Sequence, residues 1–72
     1  MRKRSVVIGG HATSISLEDE FWDELTAIAR GRDLSLAGLI QQIDRERGDR
    51  SNLSSALRLY VLETLRQRVS RD

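Results

Sequence analysis

The sequence predicts a mainly α domain with a short N-terminal β ribbon or hairpin, and three observations carry that expectation. Two runs of β-branched or alternating residues flank Gly9-Gly10. At Glu18 the apolar period changes from two to that of a helix. Two further stretches with apolar spacings of three and four then follow, each behind a capping residue.

The β segment is expected over residues 4–17. Ser5-Val6-Val7-Ile8 is rich in β-branched residues, and Ala12-Thr13-Ser14-Ile15-Ser16-Leu17 alternates apolar with small polar side chains. Gly9 and Gly10 between them tolerate the positive φ of a type I′ turn. With that turn, Ile8 faces His11, Val6 faces Thr13 and Arg4 faces Ile15. The opposite face presents Lys3, Ser5, Val7, Ala12, Ser14 and Ser16.

A first helix is expected over residues 18–30, with Phe21, Leu25, Ile28 and Ala29 on one face. Glu18, Asp19 and Glu20 suit the dipole at its start. Ser16 with Asp19 resembles a capping box, and Gly31 beyond the last apolar residue marks the stop. Ser35 reads as the N-cap of a second helix over 35–44, carrying Leu36, Leu39, Ile40 and Ile43. Gly38 in its first turn costs about 1 kcal/mol relative to Ala, which points to a close backbone approach. Arg45-Glu46-Arg47-Gly48-Asp49-Arg50 reads as a linker, and Asn52 or Ser51 caps a third helix over 52–69. Leu53, Leu57, Val61 and Leu65 form one stripe of that helix, while Leu59, Leu62 and Val69 lie elsewhere. A helix apolar on several faces is buried on several faces.

The chain has 72 residues, no cysteine and one histidine, His11. That length allows a single domain, 1–72, and one protomer can build neither a disulfide nor an imidazole zinc site. No metal and no cofactor are expected. Small domains without such staples lean on a partner chain, so oligomerisation is the first inference. No apolar run approaches the ~20 residues of a membrane span. The basic start Met1-Arg2-Lys3-Arg4 lacks the h-region of about 7–15 residues that a signal peptide needs, so a cytoplasmic protein is expected. His11 has no second ligand or fixed carboxylate beside it, and Gly9-Gly10 lacks phosphate-loop spacing. Neither an enzyme nor a small-molecule site is indicated.

Twelve Lys+Arg stand against eleven Asp+Glu, a formal net charge of +1 that hides strong segregation. Arg2, Lys3 and Arg4 come without an acid; Glu18, Asp19, Glu20, Asp23 and Glu24 come without a base. A basic excess at the ends can meet phosphate, because each neutralised phosphate releases counterions.

Thr13-Ser14-Ile15-Ser16-Leu17, then Glu18 to Arg30, then Ser35 to Asp44 resemble the strand and two helices of the ribbon-helix-helix superfamily, the MetJ/Arc/CopG class of DNA-binding proteins. A longer pattern is similar to a subfamily of small bacterial ribbon-helix-helix domains. It comprises Arg4-Ser5-Val6-Val7-Ile8, Gly10-His11, Thr13 to Glu18, Phe21-Trp22 and Asn52-Leu53-Ser54-Ser55-Ala56-Leu57-Arg58. The resemblance implies an intertwined homodimer with an added C-terminal helix, in which strands from two copies pair into a ribbon that enters the major groove of double-stranded DNA. It implies that Ala12, Ser14 and Ser16 face bases while Thr13, Ile15 and Leu17 face inward. Ser35 with the amides of Leu36 and Ala37 would hold a phosphate, joined by Arg2, Lys3 and Arg4. The dimer core is expected from Ile15, Leu17, Phe21, Trp22, Leu25, Ile40, Leu57 and Val61, with Trp22 at its edge.

The implied function is DNA binding as a transcriptional regulator, a repressor. The alternative is a dimeric protein-interaction module, or an antitoxin-like protein gripping a protein partner without groove readout. Two features keep that alternative open. Ala12, Ser14 and Ser16 are too short for bidentate base contacts, and a dimer of hairpins has four strands, roughly 19 Å across, against a groove about 12 Å wide.

Overall fold

Gly9 and Gly10, at φ +57 and +85, turn the chain back on itself. The computed structural model of the chain describes residues 2–47 and 52–70. Strands β1 (Arg2–Ile8) and β2 (His11–Leu17) pair antiparallel about this turn, with Ile8 opposite His11, Val6 opposite Thr13 and Arg4 opposite Ile15. Three helices follow: α1 (Asp19–Gly31), α2 (Leu36–Arg47) and α3 (Leu53–Ser70). The register is the one that the two-residue turn dictates, because a two-residue loop leaves no freedom to slip.

Strand gives way to helix at Glu18. Its carbonyl accepts the amides of Phe21 at 3.0 Å and Trp22 at 3.1 Å, while its side chain makes no capping bond. The capping box expected from Ser16 and Asp19 is therefore not formed. Ser16 is still extended strand, and its carbonyl accepts the Ser54 hydroxyl at 2.9 Å. Asp19 and Glu20 do occupy the first turn, where the helix dipole favours them.

The end of α1 also differs from expectation. Gly31 stays helical, and the left-handed residue is Asp33 at φ 60. The amide of Leu34 donates to the Ala29 carbonyl at 2.8 Å and that of Asp33 to the Arg30 carbonyl at 3.1 Å. These are the two bonds of a Schellman cap. Aspartate visits the left-handed region more readily than most side chains, which lets the helix run through Gly31 with the left-handed residue two positions later.

Ser35 caps α2 as expected, its hydroxyl accepting the Gly38 amide at 3.0 Å. A side chain at position 38 would come to 3.0 Å of that hydroxyl, so the close approach anticipated at Gly38 is made by the cap itself. The helix runs on to Arg47 instead of ending at Asp44. Arg47 pairs with Asp44 at 2.8 Å, Gln42 donates to Glu46 at 3.4 Å, and Arg45 and Arg47 complement the C-terminal dipole. Gly48, Asp49 and Arg50 of the expected linker, and Ser51 as alternative cap, lie outside the described residues. Asn52 caps α3, accepting the Ser55 amide at 2.7 Å.

One core joins these elements. Ile8, Ile15 and Leu17 on the hairpin's inner face meet Trp22, Leu25, Ile28 and Ala29 of α1, Leu39, Ile40 and Ile43 of α2, and Leu57 and Val61 of α3. Helix α2 packs on β1 and α3 on β2. Each buried leucine, isoleucine or valine among them contributes roughly 1.5–3 kcal/mol by leaving water. Trp22, expected at a core edge, is 1% exposed within the chain itself, with the Arg4 guanidinium 5.2 Å from its ring centroid. Its Nε1 has no hydrogen-bond partner among the described residues. Phe21 is half-buried; the other residues anticipated for a dimer core are buried within the protomer. No helix among the described residues is long and apolar enough to cross a membrane.

Candidate nucleic-acid interface

Strand alternation gives the hairpin two unlike faces. The inner one carries Val6, Ile8, Thr13, Ile15 and Leu17 against the helices. The outer one sets Lys3 opposite Ser16, Ser5 opposite Ser14 and Val7 opposite Ala12. All six are exposed except Ser16, which is half-buried. The serine hydroxyls offer single short hydrogen bonds, and Val7 and Ala12 offer apolar contact of the kind that suits a thymine methyl. The β2 side chains Ala12, Ser14 and Ser16 are too short to read a base with two hydrogen bonds, and Lys3 supplies the long side chain described on this face.

The three N-terminal cations divide between the faces. Lys3 points outward beside Ser16. Arg2 and Arg4 lie on the inner side, each 3.7 Å from the Asp19 carboxylate at the start of α1. These pairs are half-exposed, and ion pairs of that kind are worth about 0–1 kcal/mol.

At the start of α2 the Ser35 hydroxyl is engaged by the Gly38 amide, and the Ser35 carbonyl accepts the Leu39 amide at 3.0 Å. The amides of Leu36 and Ala37 belong to the first turn, whose donors have no partner within the helix. Ser35 is exposed, and Leu36 and Ala37 are half-buried. Two first-turn donors and a helix dipole are the elements of an anion site.

Sequence reasoning missed the pair that holds α3 against the base of the hairpin. Arg58 donates from Nε to Glu18 Oε1 at 2.9 Å and from Nη2 to Oε2 at 3.2 Å. The Arg58 hydrogen bond, followed by the bond from the Glu18 amide, holds the Glu18 carboxyl below its ordinary value. Residues 40 apart in sequence leave no local signal of such a pair. The bond from Arg32 Nη1 to the Tyr60 hydroxyl at 2.8 Å, between the end of α1 and α3, was equally illegible.

A family model described as a ribbon-helix-helix domain matches residues 1–65. Comparisons with curated proteins and with solved structures return no match. Members of the matched family generally bind DNA, as transcription regulators or antitoxins, and are typically not enzymes. The matched stretch takes in the hairpin, α1, α2 and much of α3, and the chain belongs to the ribbon-helix-helix domain family.

Proposed function

We propose that two copies of the chain form a DNA-binding transcriptional regulator, a cytoplasmic repressor that meets double-stranded DNA with the outer face of its hairpins and the N-termini of α2. The observation that carries this reading is the hairpin's division of labour. Its inner face is consumed by the core, while the outer face leaves Lys3, Ser5, Ser14 and the half-buried Ser16 for a ligand. Among the described residues strand β2 is paired on one side only, by β1. An open strand edge is a template for a second chain, and pairing β2 with its copy gives a four-stranded sheet. At roughly 4.8 Å per strand that sheet is wider than the major groove. The two β2 strands would therefore lie over the groove while the β1 strands rest on its walls. There Lys3 meets phosphate, and Ser14 and Ser16 meet base edges.

The width of that sheet also favours a second reading, a partner-binding module that keeps the dimer without groove contact. Amide chemical-shift mapping with duplex DNA separates the two. The DNA reading expects the largest changes at Ser14, Ser16, Leu36 and Ala37. Changes absent from all four would defeat it.

A further inference from the structure

We infer that the outer side of α3 is a docking surface for a second copy of this chain, separate from the open edge of β2. Leu62, Leu65 and Val69 recur there at spacings of three and four, and are 44%, 37% and 73% exposed. Beside them a cleft of about 210 Å³ opens between α1 and α3, floored by Phe21, Val61 and Leu65 and rimmed by Glu20 and Glu24. Contiguous exposed apolar surface with a polar rim marks an interaction site.

The charges around the patch identify the occupant. Neither Glu20 nor Glu24 meets a basic side chain among the described residues, and Arg68 meets no acid there. Arg68 follows Val61 by seven residues, so it projects on the same side of α3, the side on which α1 lies. The patch thus holds an apolar cleft with an acidic rim next to an apolar ridge with a base. It complements itself, as an isologous two-fold contact requires.

Two α3 helices running antiparallel about a two-fold axis at Leu65 satisfy both halves at once. Val69 then lies opposite the partner's Val61, over the apolar floor. Arg68 lies opposite the partner's Leu62. Because the rotation keeps both α1 helices on one side of the pair, Arg68 reaches the rim formed by the partner's Glu20 and the partner's Glu24. Together with β2 pairing, this contact joins dimers into a larger assembly.

Sedimentation equilibrium of the full chain across a wide concentration range tests the inference, with circular dichroism confirming that each variant folds. Leu62→Glu, at an exposed position, should weaken the α3 step roughly tenfold or more, the effect of losing one central contact. Arg68→Glu should weaken it as well, and adding Glu20→Arg and Glu24→Arg to that variant should restore it. Leu65→Cys, in a chain with no other cysteine, should oxidise to a covalent pair because an axial residue meets its own copy. Equal association of wild type and Leu62→Glu at every concentration would overturn the inference and leave the surface to a different protein. Failure of the charge swap to restore association would overturn the two-fold arrangement. DNA binding retained by Leu62→Glu keeps the two interfaces distinct.

Discussion

Arg58 grips Glu18 with two parallel hydrogen bonds and lies 6.0 Å from the Phe21 ring centroid, tying α3 to the junction of β2 and α1. Bidentate pairs of this kind fix orientation as well as contact. Here the pair, with the Ser54–Ser16 bond beside it, fixes the hairpin relative to α3.

This pair gives stability an acid dependence. Glu18 is held below its ordinary value, first by the Arg58 hydrogen bond and then by its own amide. Such a group contributes above the unfolded carboxyl value, ~4.3 for Glu. The contribution declines as pH falls past that value and is gone below the folded one. Glu18→Gln should therefore melt at lower temperature than wild type at neutral pH, with the two curves converging in acid. A gap that stays constant across the titration would show that Glu18 acts through packing alone.

The left-handed residue after α1 sets expectations at two nearby positions, Asp33 and Gly31. Asp33→Gly removes a side chain from a conformation that costs an L-residue roughly 1–2 kcal/mol, somewhat less for Asp. It should raise the melting temperature by several degrees, since about 1 kcal/mol moves a domain of this size by 4–8 °C. Gly31→Ala places a methyl where nothing lies within 4 Å, on a helical backbone. It too should stabilise, by about 0.4–1 kcal/mol. Were Gly31 the left-handed cap, that change would destabilise instead, and thermal melts decide between the two.

The two helix caps separate folding from DNA contact. Ser35→Ala and Asn52→Ala should each cost ~1 kcal/mol of stability. Only Ser35→Ala should also weaken DNA binding, and evenly across sequences, since phosphate contacts carry no base identity. A loss confined to one operator sequence would remove the phosphate role from the start of α2.

In the proposed DNA complex Asp19 would compete with phosphate for Arg2 and Arg4. Asp19→Asn removes that competitor and should tighten duplex binding at low salt while leaving the fold intact. Unchanged or weaker affinity in a folded Asp19→Asn chain would mean that these arginines do not reach phosphate.

What the sequence disclosed and what it withheld follow a physical division. The hairpin register was legible because Gly9-Gly10 permits one two-residue turn. Ser35 and Asn52 were legible because a cap needs only a polar side chain ahead of an apolar period. The unpartnered side of α3 was visible in Leu59 and Leu62 lying off the main stripe. Gly31 misled because Asp33 can also take a positive φ, and Ser16 misled because strand pairing held it extended. The splitting of Arg2 and Arg4 from Lys3 was implicit in strand alternation, but their Asp19 partner was not. The Glu18–Arg58 and Arg32–Tyr60 contacts depend on how the helices pack, which no local pattern encodes. The candidate base-facing positions were readable from the period of two; their small size says little about what they touch.

In the proposed dimer the N-terminal strand brings positive charge to DNA. Each phosphate neutralised adds ~0.9 to the slope of log affinity against log salt. Three cations per chain make six per dimer; if about four meet phosphates, replacing Arg2, Lys3 and Arg4 by glutamine should flatten that slope by roughly 3.6. The deciding measurement is a fluorescence-anisotropy titration of random duplex by wild type and this triple variant at several salt concentrations. Wild type should bind tightly with a steep salt dependence, and the folded variant should show a much flatter slope. Equal slopes, or no binding by wild type at low salt, would contradict it.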